Sequence, residues 1–254
     1  MPSVGPPTAG RRRATDRRVP FGPVVLLRHG TSQANRTGRT AGWQDVGLDP
    51  GGEDEAHRAA RALISAGVIV QSAHVSVLGR ARRTGEIVTA SLGLAPSGTR
   101  ESWRLNERHA GAFEGLTRDE MVEGFGRDRV RSWRHSLDVR PPQLSKSDAR
   151  HPVHDARYRD VALGSLPAGE SSMDVLRRVL PYWDAAVMAD VRAGSGVLVV
   201  THEHVIRLLL WHWRGRGGTG VPRDPIPNGV PLLLQLSDQL RVLRADPLPV
   251  GSTT

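Results

Sequence analysis

The sequence predicts an α/β protein, a three-layer α/β/α sandwich with a mostly parallel central sheet and an inserted, lid-like segment. Three observations carry that expectation. Short apolar runs alternate with stretches of helical periodicity from residue 21 onward. Two of the runs end alike, Leu27 into Arg28-His29 and Val200 into Thr201-His202. Between them, residues 113–168 break the rhythm with a polar, turn-rich stretch that includes "RPPQLSKSDARHPVHDARYRD". That stretch is too long for a simple connection and reads as a functional insertion over the site.

Val24–Leu27 reads as a fully buried strand, since its four apolar residues do not alternate with polar ones. "GGEDEAHRAARALISAG" reads as a helix with Ala56, Ala59, Ala60, Leu63 and Ile64 on one face and Gly67 as its stop. A second strand is expected over Val75–Leu78 and a second helix over Ala81–Leu92. After the insertion, Met173, Leu176, Leu180, Trp183, Val187 and Val191 step by three or four residues, which predicts one long helix with a core-facing stripe. "SGVLVVTHEH" is a strand ending in histidine, the segment through Leu208–Trp213 a helix, and "GVPLLLQL" the last strand. On this reading residues 21–245 make one domain, 1–20 a basic disordered leader and 246–254 a flexible tail.

Composition narrows the classes. A hydrophobic fraction of 38% against 24% charged residues fits a folded globular chain rather than a disordered one. With no cysteine, disulfides and thiolate metal sites are excluded. No apolar run approaches the roughly 18 residues that cross a bilayer, and the N-terminal arginines precede no apolar segment. A cytoplasmic protein with no membrane partner is therefore expected. Of 35 basic side chains only Lys146 is a lysine, and the net charge is +9. Arginine's planar fork suits phosphate, although a general bias toward arginine explains the count equally. The leader holds four of the nine net charges but no aromatic residue, so nucleic acid is not the expected partner.

In open α/β sheets ligands bind beyond the carboxyl ends of strands. His29 and His202, delivered to that edge from distant parts of the chain, are expected to meet over one pocket. Metal binding fits poorly, because the histidines of "HEH" at 202–204 are two apart and do not share a helix face. A nucleophilic histidine makes better sense of the arginines, since phosphoryl transfer is chiefly a matter of positioning and charge stabilisation. Arg28, Arg80 in "SVLGRARRTGE" and His202 would form a cationic cup around His29, and Gly30 would let a substrate approach the backbone. Glu107, in "RLNERHAGAFEG", offers the proton that a leaving oxygen needs.

The segments "LLRHGTSQAN", "GWQDVGLDPGG", "SVLGRARRT", "WRLNERHAGAFEGLTRDE", "SWRHSLDVRPP" and "IPNGVPLLLQL", in that order, resemble the histidine phosphatase superfamily and, within it, the cofactor-dependent phosphoglycerate mutases. The resemblance covers roughly residues 23–245. It implies that His29 is phosphorylated, that Arg28 and Arg80 clamp the transferred phosphate, that His202 stabilises the transition state and that Glu107 is the general acid/base. It places Thr31, Ser32, Asn35, Ala41, Gly42, Arg108, His109, Ala110, Arg118, Arg134, His135, Glu203 and His204 among the substrate contacts. It further implies 2,3-bisphosphoglycerate as phosphoryl primer, no metal, a small phosphorylated carboxylic acid as substrate, and assembly as a homodimer or homotetramer.

The chain departs from that pattern at four places. Glu203-His204 stands where the family has Gly-Asn, Ala110 where it has tyrosine, His135 where it has a second arginine, and Arg118 where it has lysine. A carboxylate at 203 would oppose an incoming dianion unless it turns away or pairs with a cation. Each lost charge-assisted contact is worth about 1.5–3 kcal/mol. The phosphoryl-transfer residues are intact while the residues holding the rest of the substrate are altered. Three readings follow: a phosphoglycerate mutase of glycolysis and gluconeogenesis, a divergent phosphatase or mutase acting on another small phosphorylated acid, and a non-catalytic phosphate-binding paralogue.

Overall fold

The computed structural model describes residues 21–215 and 224–251; the leader and the last three residues lie outside them. Six strands form one sheet: β1 (Val24–Arg28), β2 (Ser72–Val75), β3 (Thr99–Glu101), β4 (Val197–Thr201), β5 (Pro231–Leu236) and β6 (Val242–Pro247). Their order is β3-β2-β4-β1-β5-β6. The first four run parallel, and β5 is antiparallel to both β1 and β6. The architecture is the expected sandwich, since both faces of the sheet are covered by helices.

Strand alternation builds the two cores. Val25 and Leu27 of β1, with Leu198 and Val200 of β4, meet α2 (Pro50–Ser65) and α3 (Gly79–Ser91) on one face. Val24 and Leu26, with Val197 and Val199, meet α6 (Ser172–Tyr182), α7 (Met188–Arg192) and α8 (Glu203–Trp213) on the other. Every β1 position before Arg28 is buried, which is why the run carries no polar residue. Asp49 caps α2 by accepting from the Gly52 amide at 2.7 Å, with Pro50 in the first helical turn. The short α1 (Gln33–Thr37) is started by a reciprocal Ser32–Asn35 capping pair.

Several expectations need correction. The second strand is Ser72–Val75, three residues earlier than read, because Ser76–Leu78 is the turn into α3. Ile64 is 57% exposed and belongs to the solvent face of α2. The single long helix is two helices joined by a wide π-helical turn, Trp183–Val187; Pro181 lacks the amide that would continue a regular ladder. The strand β6 was not expected, and it carries sheet pairing through Pro247 into the segment read as tail. The insertion is not merely turns. It contains α4 (Arg118–Phe125) and α5 (Arg127–His135), which bury Met121, Val130 and Trp133 against Ala110 and Phe113.

Gly30 is also reinterpreted. A Cβ there would meet the Gly52 carbonyl oxygen at 2.1 Å, and one at Gly52 would meet the Thr31 carbonyl oxygen at 2.0 Å. The missing side chains let the start of α2 lie directly on the loop after β1, rather than admitting substrate. We therefore expect Gly30→Ala to destabilise the fold by about 1–3 kcal/mol, an overpacking cost, and to displace His29. Chemical denaturation with a phosphate-binding assay on the same protein would check both, and a neutral effect on each would contradict the contact.

Candidate active site

The register of the sheet assembles the site. Arg28 pairs with Thr201 across β1 and β4, and the His29 amide donates to the Thr201 carbonyl at 3.0 Å. His29 and His202 therefore leave the sheet side by side, with ring centroids 5.0 Å apart. On the neighbouring strand the Ser76 amide donates to Val200, so Ser76 follows β2 at the same level. Arg80 comes from the first turn of α3 and directs its Nε at His29 Nε2, 3.3 Å away.

His29 is buried, and its Nδ1 lies 2.7 Å from the Gly30 carbonyl oxygen. A carbonyl only accepts, so Nδ1 bears the hydrogen and Nε2 carries the lone pair. Burial, then Arg80 and Arg28, holds the ring's pKa well below the ordinary histidine value, which keeps it neutral. The Arg80 guanidinium is fixed by the carbonyls of Gly42 at 2.8 Å and Gln44 at 3.1 Å, and burial brings its pKa down to about 10. Arg28 NH1 donates to the Ile226 carbonyl at 2.6 Å, while its Nε is buried without a partner.

His202 Nε2 lies 2.8 Å from Ser76 Oγ, which itself donates to Asn106 Oδ1 at 2.8 Å; Asn106 donates to the Tyr158 hydroxyl at 3.0 Å. The serine hydrogen is thus committed, and His202 donates to Ser76 through Nε2. Its buried Nδ1 has no partner. Burial, then Arg80 and His29, keeps the pKa of this ring well below the usual value too. Two orphaned polar atoms, Arg28 Nε and His202 Nδ1, are thus part of a buried cationic cup around a histidine lone pair.

Glu107 presents its carboxylate at the cavity; Oε1 accepts from the Arg108 amide at 2.8 Å and Oε2 from the His204 amide at 3.4 Å. Its carbonyl is gripped by Trp43 Nε1 at 2.6 Å and by Arg178 at 2.9 Å. Arg178, from α6, forms a buried two-bond pair with Glu170, which also accepts from the His109 amide. Neither Arg178 nor Glu170 was singled out in the sequence, where nothing marks a helical arginine as facing inward.

The cavity, about 400 Å³, is lined by Arg28, His29, Ser32, Asn35, Ala41, Gly42, Arg80, Glu107, Arg108, Ala110, Arg134, His135, Glu203 and His204 among the expected residues. His202 is fully buried and not on the wall, its ring 5.0 Å from that of His29. Thr31, His109 and Arg118 are not on the wall. Thr31 binds Glu55 through its amide and hydroxyl. His109 is fully buried; its Nδ1 accepts from the Gly111 amide, and burial holds its pKa at about 3. Arg118 stands close enough to Arg134 to lower that residue's pKa, after burial itself. The wall also holds Arg39, Thr40, Trp133 and Arg207, which the sequence reading missed. Arg207 was findable, since it stands four residues after Glu203 on a helix.

Glu203 does pair with cations: Oε2 lies 3.1 Å from Arg28 NH1, and the other oxygen contacts Arg207 NH2. His204 Nε2 lies 3.0 Å from Ser172 Oγ. Among the described residues no cluster of three or more His, Cys, Asp or Glu side chains could hold a metal ion.

The family model of the histidine phosphatase superfamily (branch 1) matches residues 24–244. Solved structures of the same fold include "Mycobacterial hydrolase 1", 22% identical, covering 91% of this chain and 100% of that one at a TM-score of 0.67. The α-ribazole phosphatase from Shigella flexneri is 19% identical, covering 91% of this chain and 100% of that one, at 0.61. The chain belongs to the histidine phosphatase superfamily, branch 1. Among its curated relatives, a 2,3-bisphosphoglycerate-dependent phosphoglycerate mutase of Nitratidesulfovibrio vulgaris (strain DP4) is 44% identical over 218 residues, 86% of this chain and 87% of that protein. Its counterpart from strain DSM 19637 / Miyazaki F is 44% identical over 220 residues, 87% and 88%.

The site generates two pH-dependent expectations. Glu114, buried beside the cavity, accepts at Oε1 from the Trp43 amide at 2.8 Å and the Ala110 amide at 3.2 Å, yet burial pushes its pKa up to about 7. His109 at 3.2 Å is neutral, so that contact is not an ion pair. A carboxyl whose pKa rises on folding contributes stability that is complete below its unfolded value and lost as pH climbs through 7. Glu114→Gln should therefore gain on the wild type by up to about 3 kcal/mol between pH 5 and pH 8. Paired denaturation curves that stay parallel across that range would refute it. Second, His202 Nδ1 can donate to an anion only after taking up a proton, so sulfate affinity should fall as pH rises from 6 to 8. That dependence should vanish in His202→Asn, as calorimetry in buffers of different ionisation heat would reveal.

Proposed function

We propose that this chain is a phosphoglycerate mutase, interconverting 3-phosphoglycerate and 2-phosphoglycerate through phosphorylation of His29. The observation that carries it is the neutral His29 ring, its Nε2 lone pair set opposite the Gly30 anchor and directly before Arg80. The identity of 44% to mutases over most of the chain supports that choice of substrate. The orphaned Arg28 Nε, together with His202 Nδ1 once it has taken up a proton, can donate to an incoming phosphoryl dianion. When bound, 2,3-bisphosphoglycerate supplies the first phosphoryl group.

Nε2 attacks phosphorus, the bridging P–O bond breaks, and Glu107 gives its proton to the leaving oxygen. Arg28, Arg80 and a protonated His202 stabilise the charge on the equatorial oxygens, already oriented before chemistry begins. In the return step the substrate hydroxyl passes its proton to Glu107 and attacks phosphorus, and the electron pair returns to Nε2. The rigid support behind Glu107 keeps its carboxylate within reach in both directions. A place in glycolysis and gluconeogenesis and a cytoplasmic location follow from this reading. No helix among the described residues is long and apolar enough to cross a membrane. Assembly as a homodimer or homotetramer belongs to the same proposal.

A second reading is favoured by one observation. Ala110 lies on the wall without a hydroxyl, and Glu203 brings a carboxylate into it, so a phosphatase or mutase acting on another small phosphorylated acid would use the same machinery. Incubation with radiolabelled 2,3-bisphosphoglycerate should place acid-labile phosphate on His29, and 3-phosphoglycerate should then be isomerised only in the presence of primer. His29→Ala should lose both by more than about a thousandfold. Labelling with phosphate release but no isomerisation would select the second reading; no labelling would end both and leave the non-catalytic one.

A further inference from the structure

Glu203 is the residue of the cavity wall whose chemistry runs against anion binding. It opens α8, directly after His202, and its side chain is 29% exposed toward the cavity. One carboxylate oxygen holds Arg28 NH1 at 3.1 Å and the other holds Arg207 NH2, whose Nε donates to the Asp224 carbonyl at 3.2 Å. The carboxylate is therefore seated between two guanidinium groups, in the place a negatively charged part of a ligand would take.

This divides the wall into two regions. The phosphate cup keeps its full set of donors, because Arg28 turns only NH1 to Glu203 and leaves Nε unpartnered. Beyond the cup the balance differs. Arg207 is committed to Glu203. Arg108 gives NH1 to the Trp133 carbonyl at 3.1 Å and lies 4.0 Å from the Trp133 ring centroid. Among the described residues, Arg134 is the wall cation that forms neither a carboxylate pair nor a hydrogen bond of this kind. A ligand with one phosphoryl group meets little opposition. A ligand with a second strongly charged group must displace Glu203 from Arg207 or accept Arg134 alone.

We propose that Glu203 is a specificity-determining residue, a resident anion that weakens the hold on doubly charged ligands and so biases the phosphorylated enzyme toward releasing phosphate. The inference rests on the phosphohistidine reading above. When the monophosphoglycerate, with its phosphate and carboxylate, leaves the phosphorylated enzyme before the return transfer, water can reach the phosphorylated His29. Its oxygen then bonds to phosphorus as the P–Nε2 bond breaks, Nε2 keeps the electron pair, Glu107 takes the water proton and inorganic phosphate departs. Removing the carboxylate lengthens the stay of the phosphoglycerate on the phosphorylated enzyme, and of the bisphosphate on the free one, and favours isomerisation.

Glu203→Gln keeps the shape and one oxygen acceptor for Arg28, so it tests charge rather than packing. With 3-phosphoglycerate and primer, both 2-phosphoglycerate formation and phosphate release are followed. We expect the ratio of isomerisation to release to rise at least about fivefold, and the KM for 2,3-bisphosphoglycerate to fall about tenfold, the effect of one charge contact. The KM for 4-nitrophenyl phosphate should move by a clearly smaller factor. A role confined to folding would shift all substrates together. An unchanged or falling ratio, or equal KM shifts for mono- and bisphosphate, overturns the proposal while the reading stands, provided the wild type still labels on His29. A wild type that does not label overturns both.

Discussion

The hydrogen bond from the His29 amide to the Thr201 carbonyl ties the site to the sheet. It is the last rung of the β1–β4 pairing, which runs in register from Val24 opposite Val197 to Arg28 opposite Thr201. Because the strands are parallel, both chains leave at the same edge and in the same direction, so two histidines 173 positions apart become neighbours. A slip of one residue would turn the apolar side chains of β1 to the opposite faces and separate the rings. Burial on both faces makes that slip expensive, and the cores that stabilise the fold therefore also fix the catalytic geometry.

Around that pair the protein buries charge that water would otherwise solvate. Arg80 and Arg108 are held with burial-lowered pKa values of about 10, and both histidines are held neutral. Such groups persist because backbone carbonyls and side chains take most of their donors. In the cup, Arg28 Nε is a donor left without an acceptor. On the proposed reading, an arriving phosphoryl group would complete hydrogen bonding that the fold leaves incomplete, a physical basis for both affinity and preorganised catalysis. The same principle explains the layer behind Glu107: Arg178, Glu170 and Trp43 are satisfied by one another and by its backbone, so the carboxylate has little freedom to drift.

The region beyond the cup is less settled by fold than by local charge. Glu203 pairs with Arg28 and Arg207 instead of repelling the ligand outright, which resolves the conflict its sequence position posed. Ala110, by contrast, simply removes a polar group from the wall. On the proposed reading, phosphoryl chemistry and substrate selection draw on different residues of a shared scaffold.

What the sequence determined by itself was whatever depends on local pattern. Apolar runs gave β1 and β4, periodicity gave α2 and most of α6, and the motifs around His29, Arg80, Glu107 and His202 picked out residues that the structure gathers at one place. The missed elements are those that local pattern does not encode. Strand β6 has no fully buried residue and only a short, irregular apolar pattern, and the π-helical turn follows Pro181 within an otherwise helical stripe. Only the tertiary structure decided which polar side chains face the cavity. Thr31 and His109 carry the same chemistry as their neighbours, yet Glu55 and the turn after Ala110 claim them, while Arg207 is brought to the wall by the second turn of α8. Periodicity tells which face of an element is apolar; which partner satisfies a polar group is set by contacts between residues far apart in the chain.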